Sequence, residues 1–170
     1  MGRGIVILLG IVVLAGAGAL AARALGGGGI EQPIAFPHDV HAGTNQIPCL
    51  YCHSSAETSV AAGIPAMEVC AGCHLPGGVP MVAADSPGVR TLTAYWNAGE
   101  AIPWVRIHDL PDHAHFPHMM HVNAGVECQE CHGAVEAMAE VEQVASLRMG
   151  WCLACHRERQ VRTDCFVCHY

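Results

Sequence analysis

The sequence predicts short α-helices and ordered loops with little or no sheet, behind one apolar helix at the N-terminus. Three observations carry this reading. All ten cysteines fall into five Cys-x-x-Cys-His motifs, ten prolines and nineteen glycines interrupt the chain, and Ile5 to Ala22 carries no charge. The motifs begin at Cys49, Cys70, Cys128, Cys152 and Cys165, with second cysteines Cys52, Cys73, Cys131, Cys155 and Cys168. Each closes on a histidine: His53, His74, His132, His156 and His169. This is the attachment signature of c-type haem. The two thiols become thioethers, and the adjacent histidine is the first axial ligand of the iron. The predicted fold class is a multihaem cytochrome c with five covalently bound haem c groups.

Other uses of cysteine fit less well. A disulfide framework explains an even count but not a histidine after every pair. Zinc ribbons take two pairs per metal, which strands the fifth. A thioredoxin-like motif needs one pair beside a βαβ pattern, and none is visible. Beyond residue 30, about 140 residues remain to wrap five porphyrins, too few for five ordinary cores. The haems are expected to supply most of the buried apolar surface, so folding and cofactor binding are inseparable.

Taken in order, residues 1–25 form the expected membrane anchor. The eighteen residues from Ile5 to Ala22 lie between Arg3 and Arg23. They are near the lower length limit for a spanning helix and longer than a usual signal-peptide core. Residues 26–33, opening with four glycines, form a flexible joint. Haem c is attached after export, so the haem-bearing part is expected on the periplasmic face of the cytoplasmic membrane. Charged residues make up only 14% of the chain, against about a quarter in a soluble domain. That predicts surface buried against partner proteins. A formal net charge of −7, before haem propionates are counted, excludes nucleic acid as a partner.

Two halves follow, 34–107 with two haems and 108–170 with three. Each reads Phe-Pro-His-x-x-His, then Cys-x-x-Cys-His, then Met-x-x-Cys-x-x-Cys-His. The first half opens at Phe36 with His38 and His41, the second at Phe116 with His118 and His121. Residues three apart on a helical turn diverge by about 60° and are one turn displaced. They cannot share one face of one iron, but each can reach a different one. His38, His41, His118 and His121 are therefore the expected second axial ligands of four irons.

The fifth iron has two alternatives. His108 stands in an ordered-looking segment, Trp104 to Pro111, and Met149 precedes Cys152 by three. Met67 and Met119 are weaker options. A thioether ligand would raise the potential relative to two imidazoles. His113 and His115 are expected beside the ligands or facing solvent.

Iron held by two protein ligands has no open position, so the predicted role is electron transfer without catalysis. Pentahaem nitrite reductases replace one attachment histidine with lysine; here all five motifs end in histidine. No zinc-protease helix motif, phosphate loop or spare cysteine is present.

The stretches AIPWVRIHDLP, FPHMMHVNAGVECQECHG and RMGWCLACHR, with IPCLYCHSS upstream, resemble the pentahaem cytochrome subunit of alternative complex III. That complex is a bacterial quinol:electron acceptor oxidoreductase. The resemblance runs from about Phe36 to Cys168. It implies axial roles for His38, His41, His118 and His121, and for Met149 or His108 at the remaining iron. It also implies partners: an iron–sulfur subunit, a monohaem cytochrome, polytopic quinol-binding membrane subunits, and a soluble periplasmic acceptor. The chain departs from that pattern at His113 and His115, where bulky aromatic residues are expected. The alternative function is a self-sufficient, membrane-anchored multihaem quinol dehydrogenase with one incompletely ligated haem.

Overall fold

Short helices alternate with loops because the motifs at Cys49, Cys70, Cys128 and Cys152 are each followed within a few residues by glycine, proline or a polar turn. The computed structural model describes residues 30–77 and 81–170. The expected anchor, 1–25, and the glycines opening the joint lie outside them. Among the described residues no helix is long and apolar enough to cross a membrane.

A π-helical turn, Asp39–Thr44, comes first. Six α-helices follow: α1 (Cys49–Cys52), α2 (Met67–His74), α3 (Pro87–Ala98), α4 (His118–Asn123), α5 (Gln129–His132) and α6 (Met149–Glu158). Single 3₁₀ turns occur at Val135–Ala137 and Cys165–Val167. No β-strand occurs among the described residues, as the turn-rich composition predicts.

The Met-x-x-Cys-x-x-Cys-His copies become the two-turn helices α2 and α6, each starting at its methionine. The motifs that open each half make only one turn, α1 and α5. Helix α3 is the one segment with ordinary helix punctuation. The Ser86 hydroxyl accepts from the Val89 amide at 3.1 Å, Pro87 opens the first turn, and Gly99 closes the helix at φ 67°.

Residues 32–170 form one unit. Its apolar interior is thin. Ile34, Leu75 and Leu92 form the core cluster, with Met67, Tyr95, Ile102 and Trp104 packed around it. Leu75, at 3% exposure, is the most buried hydrophobic side chain among the described residues. A cluster this size cannot by itself offset the chain entropy of about 140 residues, at roughly 1–2 kcal/mol each.

The two halves hold each other by a reciprocal exchange. The Asp39 amide donates to the Met138 carbonyl at 3.0 Å, and the Met119 amide donates to the Ser59 carbonyl at 3.0 Å. Asp39 and Met119 each follow the first histidine of their own repeat. Met138 and Ser59 each lie six residues beyond the first attachment histidine of the other half (138 − 132 and 59 − 53). The same patch meets the same patch, as in an isologous dimer. Asn123 adds a bond to the Glu57 carbonyl at 3.0 Å. Gly43 lies so close to the Glu136 carbonyl that a Cβ there would collide with it.

Candidate haem-ligating site

Each Phe-Pro-His-x-x-His copy builds the same local arrangement. Phe36 meets His38 edge-on at 4.8 Å and lies against His41 at 4.2 Å. Phe116 meets His118 edge-on at 5.0 Å and lies against His121 at 4.2 Å. The prolines contribute through their carbonyls. Nδ1 of His41 lies 2.9 Å from the Pro37 oxygen, and Nδ1 of His121 lies 3.0 Å from the Pro117 oxygen. One aromatic ring and one carbonyl therefore fix the imidazoles of each pair.

The same device recurs across the site. Nδ1 meets a backbone carbonyl in His53 (Gly63, 2.8 Å), His74 (Val82, 2.9 Å), His118 (Val60, 3.0 Å), His156 (Arg162, 2.7 Å) and His169 (His113, 2.7 Å). A carbonyl can only accept, so Nδ1 carries the hydrogen and Nε2 is left with a bare lone pair. That is the tautomer a metal-binding imidazole needs. Two proposed ligands differ. Nδ1 of His132 faces Nε2 of His108 at 3.2 Å, and Nδ1 of His38 is buried without a hydrogen-bond partner.

The spacing of the rings decides what they could hold. Metal–nitrogen bonds of about 2 Å place two imidazole centres across one iron about 6 Å apart. His41 and His74 stand 6.0 Å apart, His121 and His156 6.1 Å, and His118 and His132 6.4 Å. Each pair joins a histidine of a Phe-Pro-His-x-x-His copy to an attachment histidine. His53 is a charge neighbour of His38. Haem fits this donor set on geometry and on tautomer. All ten cysteines are free thiols, and among the described residues no group of three or more metal-ligating side chains gathers as a zinc site requires.

Burial favours the neutral form of three of the imidazoles. It pushes His132 down to about 4, with His108, His118 and His53 adding to the effect. Burial also lowers His108, with His118 adding. His38 is lowered by burial first and then by His53 and His41, while Asp39 opposes.

The thiols record which motifs are neighbours. Burial is the largest cause raising Cys52, Cys70, Cys128, Cys131 and Cys152 above the ordinary thiol range. Thiols of adjoining motifs add to it: Cys73 acts on Cys52, Cys52 on Cys70, and Cys49 on Cys128. Cys155 and Cys152 act on Cys131, and Cys168 acts on Cys152. The motifs at Cys70 and Cys49, at Cys49 and Cys128, at Cys128 and Cys152, and at Cys152 and Cys165 are thus neighbours.

The remaining candidates for the fifth iron are placed as follows. His108 does not stand opposite an attachment histidine at ligand spacing; its ring centre is 4.4 Å from that of His132, on the Nδ1 side. Met67 belongs to the hydrophobic core. Met149 is 66% exposed at the first position of α6. His113 and His115 grip the last motif. The His113 ring lies over His169 at 5.6 Å, His115 stacks on Tyr170 at 4.5 Å, and the His115 amide donates to the Cys168 carbonyl at 2.8 Å. The carbonyls of Val60, Gly63, Val82 and Arg162 are the site groups that sequence reasoning missed, because a backbone acceptor leaves no mark in residue identity.

No family model matches the chain. It is 33% identical over 102 residues to a protein of Nitratidesulfovibrio vulgaris (strain Hildenborough) named "Menaquinone reductase, multiheme cytochrome c subunit". The match covers 60% of this chain and 46% of that protein, so it spans about half of the relative's length. Five attachment motifs, imidazole pairs at iron-spanning distance and this relative together identify the chain as a multihaem c-type cytochrome, distantly related to that subunit.

Proposed function

We propose that the chain is an electron-relay subunit of a membrane quinone oxidoreductase, carrying five haem c groups and catalysing no reaction of its own. The observation that supports this best is the set of three imidazole pairs, each spaced for one iron, in which five of the six rings turn Nδ1 to a backbone carbonyl. In this reading His41 and His74, His38 and His53, His118 and His132, and His121 and His156 hold four irons. His169 holds the fifth, with Met149 opposite. Met149 and Cys152 are three apart on α6 and share a face, and Cys152 neighbours Cys168 of the last motif. Bound haem supplies a one-electron Fe(III)/Fe(II) couple. The chain's residues fix ring orientation and would hold each iron from both sides, which would leave no place for substrate.

The relative's name and the resemblance to the alternative complex III subunit both support quinone-handling partners. The finer partner set is an iron–sulfur subunit, a monohaem cytochrome and polytopic quinone-binding subunits. In this reading residues 1–25 anchor the chain, and the haem-bearing part faces the periplasm and a soluble carrier. The relative is named a reductase of menaquinone, which favours electrons entering the quinone pool, whereas the alternative complex III likeness favours their leaving it. Adding quinol, or quinone after pre-reduction, to the assembled complex and following haem absorption separates the directions.

Low-temperature EPR of the oxidised holoprotein tests the ligation. Five low-spin signals are expected, one of them of His/Met type. His118→Ala should leave one haem high-spin with all five still covalently attached, and a fully low-spin spectrum would remove that residue from the ligand set. One observation favours a second reading: among the described residues the ring paired with His169 is that of His113, at 5.6 Å, and no histidine of a Phe-Pro-His-x-x-His copy stands beside it. A native high-spin haem, with quinol oxidation by this chain alone, would establish the self-sufficient quinol dehydrogenase instead.

A further inference from the structure

We propose that His108 is a positioning residue, which accepts the Nδ1–H of His132 on its own Nε2 and tunes the iron that His132 holds. The inference rests on the reading of His132 as an axial ligand. Seven of the nine histidines proposed as ligands present Nδ1 to a backbone carbonyl; His132 alone presents it to another side chain.

Geometry rules out the simpler role. The two ring centres are 4.4 Å apart at 75°, too close for an iron between them, which needs about 6 Å. The place across the iron from His132 belongs to His118, at 6.4 Å. The nitrogen of His108 nearest the site is already committed to His132, at 3.2 Å. With Nε2 of His132 on iron, the proton balance is fixed. Nδ1 of His132 carries the shared hydrogen, Nε2 of His108 accepts it, and Nδ1 of His108 carries its own.

The segment bearing His108 is braced from two directions. The Gln32 amide donates to the Val105 carbonyl at 2.9 Å and accepts from the Val105 amide at 2.9 Å. Trp104 packs against the Ile34, Leu75 and Leu92 core. The ring is thus presented by an anchored stretch of chain.

An imidazole nitrogen is a more basic acceptor than an amide oxygen. It draws harder on the Nδ1 hydrogen, makes His132 a stronger donor to iron and favours the ferric state. The third motif should therefore sit at a lower potential than a carbonyl partner would give it.

Redox titration of the full-length holoprotein carrying His108→Leu or His108→Gln tests this, with EPR on the same samples. In His108→Leu all haems should stay attached and low-spin. One reduction equilibrium should move toward the ferrous state on the order of tenfold, which is ~59 mV for one electron. His108→Gln, whose side-chain carbonyl can accept the same hydrogen, should recover part of the shift. A new high-spin signal in His108→Leu would make His108 a ligand and overturn the proposal. So would potentials that do not move, or a Gln variant no closer to wild type than Leu. His132→Ala is the control for the underlying reading. If it produces no high-spin iron, the assignment of His132 fails, whatever residue 108 does.

Discussion

Gly43 shows how much a single position can carry. Its backbone meets the Glu136 carbonyl at the junction between the halves, and the Asp39–Met138 bond four residues away holds that approach. Gly43→Ala would force a Cβ into a carbonyl that has nowhere to move. A cost of about 1–3 kcal/mol is expected, seen as a lower melting midpoint with the haem complement intact. The paired phenylalanines illustrate a second kind of dependence. The repeat made Phe36 and Phe116 visible in the sequence, but their task, setting both imidazoles of a pair, required the ring contacts. His108 was legible as a histidine left over and not as a partner of His132. The two are 24 positions apart with helix α4 between them, and no periodicity links them.

The repeated segments adopt similar but unequal forms. The first Phe-Pro-His-x-x-His copy winds into a π-helical turn, with the Asn45 amide reaching back to Val40; the second becomes α4. A π-turn spreads side chains that an α-turn would align, and such turns concentrate at functional sites. The asymmetry extends to Nδ1 of the first histidine, satisfied by Val60 in one copy and orphaned in the other. The motif helices were foreseeable from their Met-x-x-Cys-x-x-Cys-His spacing. Their different lengths were not, because attachment needs only the turn that carries the two cysteines. For α6, Met149→Leu should convert one low-spin haem to high-spin, whereas Met149→His should keep it low-spin and lower its potential. Unchanged spectra in both variants would take Met149 out of the ligand set.

Across residues 32–170, the motifs differ in what surrounds them. The Cys165 motif is terminal and held chiefly by His113 and His115. The Cys49 and Cys128 motifs meet where the two halves exchange hydrogen bonds. Cys165→Ser with Cys168→Ser should yield a folded protein with four haems by pyridine haemochrome assay. The matching change at Cys128 and Cys131 should yield protease-sensitive protein, because six buried hydrophobic residues cannot hold the described chain together. Recovery of a stable four-haem protein from both would show that the junction does not depend on its haems. The helical, sheet-free fold was readable in advance because closely spaced motifs, prolines and glycines leave room only for short helices and turns. The way the halves clasp was not, since it runs through main-chain atoms common to every residue.

That clasp also orders events during biosynthesis. A polypeptide emerges from its N-terminal side, so the turn beginning at Asp39 is made long before the carbonyl of Met138 that it needs. Until then Cys49 to Cys73 lack their final neighbours and, in the proposed haem-bearing form, would stay open to the enzymes that join porphyrin to thiol. Closure comes only when the later repeat arrives, which gives the earlier sites a window for loading.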